Sequence, residues 1–476
     1  MPDLQKFIRQ VLGAALCCYA FFSLFYASYW VTQSHLVIAI LAMVMVGISL
    51  FLTKCLQRCD FSADIDARQA TRFFWVIIAV GIVFRAIWVT VFPPVQVSDF
   101  LQYMDAARRL IEEGKYYYRV DGNLMLAWRP PGYPLILSVL MRIFGDASWL
   151  PFALNLVCFT ITCVVMRSLT DLLIGNRVAG LFCTALLAAW PAAIAGAGAA
   201  ASEWPSLALL MVGFWAIIKA QSGLWRYAVL AGLCMGYGAL VRPGFIFLPV
   251  CWFIYYAVGR PFDRRALAIN LVAVVMAVAV IVPWSIRNYQ VLNAFVPIST
   301  NGGDVFYRAN NPLASGTYTS HGERDLDALK AQEILWNRTG FAWGLEWIRD
   351  DPLGFLRLII KKQAMYTGKD TSMIYWVMEL GSKKPSPHYD LLRLITNWYW
   401  AAILILIAVA AVRARRWLFD NPTAGLMVVT LLYPVAVHSV FESQTRHHLP
   451  LIGLMAMLAA TALWRPVTQA IAPSRQ

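Results

Sequence analysis

The sequence predicts an all-α protein that crosses a membrane about twelve times. Three observations support this fold class. Only 14% of the 476 residues are charged and 60% are hydrophobic, whereas a soluble domain carries roughly 25% charged residues. Apolar runs recur at the length of roughly 20 residues that a helix needs to cross a bilayer. Lys and Arg collect in alternate short loops, so the net charge of +14 reflects membrane orientation and not nucleic-acid binding.

Twelve apolar runs are predicted to be transmembrane helices, and the first is long and lacks a small-residue cleavage site, so we interpret it as a retained span. The spans are 11–31, 35–53, 72–92, 146–166, 178–195, 201–219, 226–241, 243–259, 266–284, 394–412, 421–439 and 449–465. They divide the chain into two N-terminal helices (1–71), a core (72–284) with an outer loop at 93–133, a loop region (285–393) and C-terminal helices (394–476).

The distribution of basic residues predicts that both termini are cytoplasmic. With that orientation nearly all Lys and Arg of the short loops lie inside, and Arg242 and Arg446 are the exceptions. The two long loops, 93–133 and 285–393, then face outward. Long loops cross a membrane regardless of charge, so their own basic residues do not contradict this topology.

The first outer loop is predicted to begin with a helix that lies in the membrane interface. Ser98 is expected to cap it, Asp99 to occupy its first turn, and Gly114 to end it after Glu113. One face of this stretch is apolar, as an interfacial helix requires. Asp99 is then either a site residue or only an acid that the helix dipole favours at this position.

A proline-rich turn follows at residues 128–134, where three prolines and a glycine fix the backbone. A purely structural turn accounts for the prolines but not for Arg129. The second outer loop opens with Arg287 at the outer end of a span, where a cation meets lipid headgroups. Asn301 and the two glycines after it predict a turn with positive φ whose backbone amides are able to bind an anion.

Two further helices are predicted in the second outer loop. The first runs from Asp325 to Arg349 and is amphipathic. The second starts at 351–352 and ends with Lys361 and Lys362, which we expect near lipid headgroups. Simple snorkelling of these lysines to the interface is the alternative interpretation.

Polar residues from separate segments converge on the outer side. Glu203 starts the sixth span, Arg242 lies between the seventh and eighth, and Arg446 lies in segment 442–450 before the last span. Ionisable residues at membrane depth are costly and mark functional sites by default. In the predicted topology all three share the side of Asp99 and Arg287, which indicates one site with a carboxylate and several cations.

These motifs, taken in order, resemble the bacterial branch of the dolichyl-phosphate-mannose–protein mannosyltransferase-like family, relatives of the lipid A aminoarabinose transferase. The resemblance extends over residues 72–465, so the first two spans precede the usual family start. The segments that carry it are Ser98-Asp99, Arg129-Pro130-Pro131-Gly132-Tyr133-Pro134, Val241-Arg242-Pro243-Gly244, Pro283-Trp284-Ser285-Ile286-Arg287-Asn288-Tyr289, Val296-Pro297-Ile298-Ser299-Thr300-Asn301-Gly302-Gly303 and Asn310-Asn311-Pro312.

The resemblance implies a GT-C type membrane glycosyltransferase that acts as a monomer on the periplasmic face of a bacterial inner membrane. Its donor would be a polyprenyl-phosphate sugar, its acceptor a hydroxyl of an envelope glycan, glycolipid or lipopolysaccharide, and its stereochemistry inverting. The essential aspartate of the family maps onto Asp99, the expected general base. We expect the donor phosphate to be bound by Arg287, Lys362, Arg446 and Arg242. Residues expected to shape the site are Glu203, Arg129, Tyr103, Asn301 and Asn288.

No cofactor is expected, and neither is a metal, because Asp99 is followed by Phe100 and Leu101 and not by an Asp-x-Asp motif. Two alternatives stay open. A transporter or flippase for lipid-linked glycans tends to carry ionisable residues near the midplane and internal repeats, neither of which is evident here. An O-antigen polymerase or ligase would use a glycan on a lipid diphosphate.

Overall fold

A computed structural model of the chain describes residues 2–27, 35–56, 65–259, 263–317, 319, 322–380 and 388–464. The predicted end of the first span at 31, residues 57–64 between the second and third predicted spans and the C-terminal residues from 465 onward therefore lie outside the described residues. The predicted division of the chain into four parts stays a prediction.

The described residues form twenty α-helices and one β-hairpin, joined by short 3₁₀ and π-helical turns. In chain order they are α1 (Pro2–Ala27), α2 (His35–Leu56), α3 (Ala67–Val91), α4 (Asp99–Glu112), β1 (Tyr118–Val120), β2 (Asn123–Met125), α5 (Gly132–Phe144), α6 (Leu150–Leu173), α7 (Arg177–Ala188), α8 (Pro191–Ala195), α9 (Glu203–Ala220), α10 (Trp225–Val241), α11 (Leu248–Gly259), α12 (Arg264–Leu292), α13 (Gly302–Arg308), α14 (Glu333–Asp350), α15 (Pro352–Thr367), α16 (Ser372–Ile374), α17 (Tyr389–Arg413), α18 (Arg415–Asp420), α19 (Pro422–Val440) and α20 (Ile452–Ala460).

Seven of the described helices are long and apolar enough to cross a membrane: they lie in α1, α3, α6, α9, α12, α17 and α19. An eighth span is obtained if α7 and the segment Pro191–Gly198 are counted as one span bent by 53°. The remaining four predicted spans coincide with α2 (22 residues) and with the shorter helices α10, α11 and α20. The all-helical, multi-pass architecture is thus confirmed, and the count of twelve spans stays a prediction.

Lipid-facing surfaces explain why this chain needs a membrane. On α3 the exposed side includes Phe73, Val80 and Ile87, while Phe74 and Ile78 on the opposite side are buried. Both faces are therefore apolar, which is the pattern of a helix that packs on protein on one side and on hydrocarbon on the other. In contrast, α9 is buried over most of its length and forms the centre of the bundle.

A buried arginine fixes the break between α7 and α8. Arg85 on α3 donates hydrogen bonds to the carbonyl oxygens of Leu187 (3.1 Å) and Ala188 (3.0 Å), which end α7. Its guanidinium also lies 3.9 Å from the centre of the Phe159 ring. A cation at the C-terminus of a helix compensates the dipole and the unsatisfied carbonyls, so Arg85 stabilises the bend.

Between the membrane helices, the loops fold into a small unit of their own. Strands β1 and β2 pair antiparallel through a turn in which Asp121 and Gly122 both have positive φ. Helices α13 and α14 cross closely at Gly303 and Gly340. A Cβ on Gly340 would lie only 2.3 Å from the Gly303 carbonyl oxygen, so a larger residue does not fit there. Glycine is therefore required at this crossing for space and not for its φ angle.

Three local predictions for the loops are wrong. Ser98 makes no capping hydrogen bond to α4, because its positive φ places it in a tight turn. Gly302 and Gly303 do not have positive φ, since they begin α13, and the Gly303 amide is already bonded to Asn337 Oδ1. The first predicted loop helix begins at Glu333 and not at Asp325.

Candidate active site

A strained turn at Ser98 places Asp99 at the start of α4. The Phe100 amide donates to the Val97 carbonyl at 3.1 Å, which closes a turn over Ser98 and Asp99. Ser98 has φ 50° and ψ −123°, a conformation that favours glycine. Non-glycine residues in such conformations cost free energy and cluster at functional sites. Ser98 Oγ lies 3.4 Å from Asp99 Oδ1, on the same turn.

Both carboxylate oxygens of Asp99 contact arginines. Arg129 Nη2 lies 2.6 Å from Oδ1 and Arg446 Nη2 lies 2.9 Å from Oδ2. The Asp99 side chain is only 13% exposed and that of Arg446 only 10%. Burial alone would raise the pKa of Asp99, but the two guanidinium groups outweigh burial and hold that pKa below its usual range.

A second carboxylate extends this group of charges. Glu203 lies in the first turn of α9, where the helix dipole favours an acid. Arg242, directly after α10, lies with Nη1 2.9 Å from Glu203 Oε1, and Arg446 Nε lies 3.8 Å from the same oxygen. We call Asp99, Glu203, Arg129, Arg242 and Arg446 the arginine–carboxylate cluster. Three guanidinium groups against two carboxylates leave the cluster with one net positive charge.

The proline-rich turn is held by a carboxylate that sequence analysis did not find. Glu333 accepts hydrogen bonds from the amides of Leu126 (2.6 Å) and Ala127 (2.9 Å) and from Thr300 Oγ1 (2.6 Å). These bonds tie the backbone before Arg129 to the start of α13 and to α14. Glu333 therefore helps to fix the direction in which Arg129 points. No sequence signal pointed to it, because the predicted helix began at Asp325 and Glu333 fell inside that helix.

Arg287 and Asn288, both predicted site residues, hold the same loops. Arg287 donates to the carbonyls of Leu126 (2.6 Å) and Tyr116 (2.7 Å). Asn288 is fully buried and donates to the carbonyls of Val296 and Ile298. We call Glu333, Arg287 and Asn288 the loop brace. Apart from the Thr300 hydroxyl and one bond within the brace itself, its side chains bind backbone groups, and among the described residues none of its hydrogen bonds reaches a side chain of the cluster.

Lys362 and Asn301 also make no hydrogen bond or ion pair with the cluster among the described residues. Lys362 is fully buried, and its Nζ donates to Asn310 Oδ1 (2.9 Å) and to the carbonyls of Ser439 and Val440. Its expected position near lipid headgroups is therefore wrong, and burial lowers its pKa to about 7. Asn301 accepts a hydrogen bond from Ser299 Oγ at the start of α13.

Tyr103 and Gln102 line the cluster from α4. Tyr103 lies one turn after Asp99 and packs edge-on against Tyr133, with ring centres 5.3 Å apart. Burial raises the pKa of Tyr103, so its hydroxyl stays protonated and available as a hydrogen-bond donor. Gln102 Oε1 accepts from Arg129 Nε at 3.0 Å, which fixes the second edge of that guanidinium.

The segment 441–444 contributes residues that sequence analysis had not assigned a role. Gln444 Oε1 accepts from Arg446 Nε at 3.1 Å, while Gln444 Nε2 donates to Glu442 Oε1 at 3.2 Å. Burial raises the pKa of Glu442 to about 7, although Arg446 opposes this effect. The Trp376 ring lies 4.9 Å from the Arg446 guanidinium carbon and covers it.

A buried histidine fixes the 3₁₀ turn Thr445–Leu451, which carries Arg446. His448 Nδ1 lies 2.9 Å from the Tyr366 carbonyl oxygen and Nε2 lies 2.9 Å from Asp370 Oδ1. Its ring also stacks on Trp400 at 4.3 Å. Because both ring nitrogens have partners, this turn is held in one position. Among the described residues, no group of three or more His, Cys, Asp or Glu is arranged to hold a metal ion.

The comparisons with known proteins agree on the type of fold. Residues 128–286, about a third of the chain, match the family described as dolichyl-phosphate-mannose-protein mannosyltransferase. The oligosaccharyltransferase of Archaeoglobus fulgidus, in a complex with zinc and sulfate, superposes with a TM-score of 0.51 at 12% identity, over 82% of this chain and 48% of the other. This chain has the GT-C fold. The family resemblance inferred from the sequence motifs is also confirmed.

Another solved structure superposes less closely on this GT-C protein. ArnT from Cupriavidus metallidurans, bound to undecaprenyl phosphate, has a TM-score of 0.38 at 16% identity, over 83% of this chain and 78% of the other. No curated protein matches this chain in sequence. The chain spans about half the length of the archaeal oligosaccharyltransferase. The GT-C fold places Asp99, Arg129, Glu203, Arg242 and Arg446 together.

Proposed function

We propose that this protein transfers a sugar from a polyprenyl-phosphate donor to a hydroxyl of a cell-envelope acceptor, with inversion at the anomeric carbon. The reaction takes place at the arginine–carboxylate cluster, on the periplasmic face of a bacterial inner membrane. The single observation that carries the proposal is the pairing of Asp99 with Arg129 and Arg446 in a buried site. The match to a family described by a dolichyl-phosphate sugar substrate supports the class of donor.

The cluster has the charge that this chemistry needs. A sugar on a lipid phosphate already carries a good leaving group, so the site has to stabilise the phosphate charge and does not have to supply a general acid. Arg446 and Arg242 are well suited, because guanidinium binds phosphate through two parallel hydrogen bonds. The net positive charge of the cluster favours an anionic donor. Arg287 and Lys362, which are bound to neutral groups in this structure, are proposed only as minor contributors.

The assignment of Asp99 as general base follows from the sequence resemblance. In this structure both Asp99 oxygens are occupied by guanidinium groups. On this assignment the donor phosphate competes with Asp99 for Arg446. Asp99 Oδ2 then loses its guanidinium partner and becomes free to accept the proton of the acceptor hydroxyl. On this assignment the proton of the acceptor moves to Asp99 while the anomeric carbon changes its bond from phosphate to acceptor oxygen.

The experiment that tests the function measures transfer of radiolabelled sugar from membrane lipid extract to envelope acceptors. Asp99→Asn is nearly isosteric and is expected to reduce transfer by roughly 100-fold or more, because the carboxylate is lost from the centre of the site. Asp105→Asn, on the same helix and paired only with Arg108 at the surface, is the matched control and is expected to transfer at nearly the wild-type rate.

Three outcomes decide between the candidate functions. If Asp99→Asn transfers as well as the wild type, Asp99 has no catalytic part. If the wild type transfers nothing from any donor pool, the transferase proposal fails and a lipid-linked glycan transporter becomes the better interpretation. Lipid analysis of a deletion strain separates the enzymes, since accumulation of prenyl-phosphate sugar supports our proposal and accumulation of unpolymerised glycan indicates a polymerase or ligase.

A further inference from the structure

A stretch of small residues leads into Glu203 without a continuous α-helix. Residues 196–201, which we call the alanine–glycine segment, read Gly-Ala-Gly-Ala-Ala-Ala and are all buried. The first three form a 3₁₀ turn, and the chain returns to α-helix only at Glu203, where α9 begins. The side chains of the segment carry no polar atoms. Buried backbone groups require hydrogen-bond partners, so several of those in this segment need partners from other parts of the chain.

Gln96 binds the alanine–glycine segment with both ends of its side-chain amide. Its Nε2 donates to the Gly198 carbonyl oxygen at 3.0 Å, and its Oε1 accepts from the Ala200 amide at 2.8 Å. Gln96 lies three residues before Asp99, and the backbone groups that it binds lie three and five residues before Glu203. The glutamine is therefore a direct bridge between the backbone that carries one carboxylate of the cluster and the backbone that carries the other.

A close packing contact lies beside this bridge. A Cβ on Gly198 would lie 2.5 Å from Pro94 Cγ and 3.1 Å from Val89 Cγ2, so a larger residue does not fit there without a shift. Pro94 lies two residues before Gln96, and its ring makes this part of the backbone rigid. The separation between the two stretches of backbone is thus determined both by hydrogen bonds and by direct contact.

This separation matters for Arg446, because its guanidinium contacts both carboxylates. Its Nη2 lies 2.9 Å from Asp99 Oδ2, and its Nε lies 3.8 Å from Glu203 Oε1. The position that a guanidinium takes between two carboxylates depends on the distance between them, since each attraction weakens with separation. A change in that distance therefore moves the cation that is proposed to bind the donor phosphate.

We propose that Gln96 is a positioning residue for the transfer reaction: it sets the spacing of Asp99 and Glu203 and thereby the position of Arg446. This inference rests on the proposed function and adds one residue to it. Gln96 acts through the backbone and through Arg446, and it takes no part in the bond changes. A misplacement of about 1 Å that arises far from the chemistry can cost about 100-fold in rate, so the loss of such a spacer has a measurable effect.

Asn155 provides a matched control. Its Nδ2 donates to the carbonyl oxygens of Ala197 and Ala199 at 2.9 Å each, so this side-chain amide also makes two hydrogen bonds to the alanine–glycine segment. Asn155 lies on α6, which contributes no member of the cluster. Loss of Asn155 therefore removes the same number of bonds from the same segment but leaves the Gln96 bridge intact.

The first test compares Gln96→Met with Asn155→Leu, because each variant is close to the native side chain in size and removes two hydrogen bonds. Both should lower the unfolding temperature in detergent by similar amounts. Only Gln96→Met should lower kcat/KM for sugar transfer, by roughly 10- to 100-fold, and weaken the binding of undecaprenyl phosphate, used as the probe. Gln96→Glu keeps an acceptor for the Ala200 amide, should lose less activity, and replaces Gln96→Met if that variant does not fold.

A second pair of variants changes the same spacing from the other side of the bridge. Gly198→Ala places a methyl group against the rigid Pro94 ring and should lower transfer as Gln96→Met does. Gly196→Ala, two residues earlier, places its methyl group 3.1 Å from the side chain of Met373, which is flexible enough to move away. Gly196→Ala should therefore transfer sugar at nearly the wild-type rate.

The outcomes separate this inference from the proposed function. If the wild type transfers sugar and Gln96→Met loses no more activity than Asn155→Leu, Gln96 is only structural, the inference is wrong and the transferase stands. If Gln96→Met weakens binding of undecaprenyl phosphate as strongly in an Arg446→Gln protein as in the wild type, Gln96 does not act through Arg446 and the inference is again wrong. If the wild type transfers nothing, the proposed function fails and the inference fails with it.

Discussion

The arginine–carboxylate cluster and the loop brace use the same residue types for different purposes. In the cluster, Arg446 contacts the carboxylates of Asp99 and Glu203. In the brace, Arg287 contacts backbone carbonyl oxygens, and Glu333 contacts backbone amides. A guanidinium that pairs with a carboxylate can exchange it for a phosphate of the same charge and geometry. One that holds backbone carbonyls can leave them only if the loop moves.

This difference shows why the identity of a residue does not determine its role. Arg287 and Arg446 were both expected to bind the donor phosphate, on the same grounds of charge and position. The structure separates them by what each already binds. The brace fixes the loop backbone that precedes Arg129, and this fixed backbone holds Arg129 in position within the cluster.

The largest expected effect is that of Arg446→Gln compared with Arg287→Gln. Loss of Arg446 removes a buried cation from the phosphate position and leaves Asp99 with one partner, so transfer should fall roughly 100- to 1000-fold. Arg287→Gln should leave kcat near the wild-type value and lower the unfolding temperature instead. Transfer kinetics and thermal unfolding in detergent, measured on both variants, check this. Equal losses of kcat in the two would contradict the division between cluster and brace.

An intermediate effect is expected from Glu333→Gln. The amide presents a donor to at least one of the groups that now donate to Glu333, and one unsatisfied buried group costs about 1–3 kcal/mol. The unfolding temperature should therefore fall by several degrees. Transfer should be lost first at high temperature and return on cooling. Glu346→Gln, which breaks only the exposed pair with Arg324, is the control and should unfold nearly as the wild type does. A Glu333→Gln protein of normal stability that lacks activity at every temperature would give Glu333 a direct part in the chemistry.

The sequence was sufficient for the fold class because hydrophobic length and basic loops are local properties. It also named all five members of the cluster, since ionisable residues at helix ends are conspicuous in an apolar chain. It could not separate them from Arg287, Asn288 and Lys362, because the role of each side chain depends on the hydrogen-bond and ion-pair partners that tertiary packing brings into contact with it. Glu333 was missed for the same reason, since two of its three hydrogen-bond partners lie more than two hundred positions away.

The smallest expected effect is that of Ser98→Gly, and it concerns how the cluster is built. Ser98 has a φ of 50° directly before Asp99, and a non-glycine residue in such a region costs about 1 kcal/mol or more. Glycine relieves this strain but adds freedom to the unfolded chain, so the gain in stability should be below about 1 kcal/mol. The strained turn places the Asp99 carboxylate between Arg129 and Arg446 through the backbone and not through the serine hydroxyl. Ser98→Gly should therefore raise the unfolding temperature slightly and keep kcat, whereas Ser98→Val should lower both, because a β-branched residue resists positive φ. A loss of transfer in Ser98→Gly with unchanged stability would instead show that the hydroxyl near Asp99 takes part in the reaction.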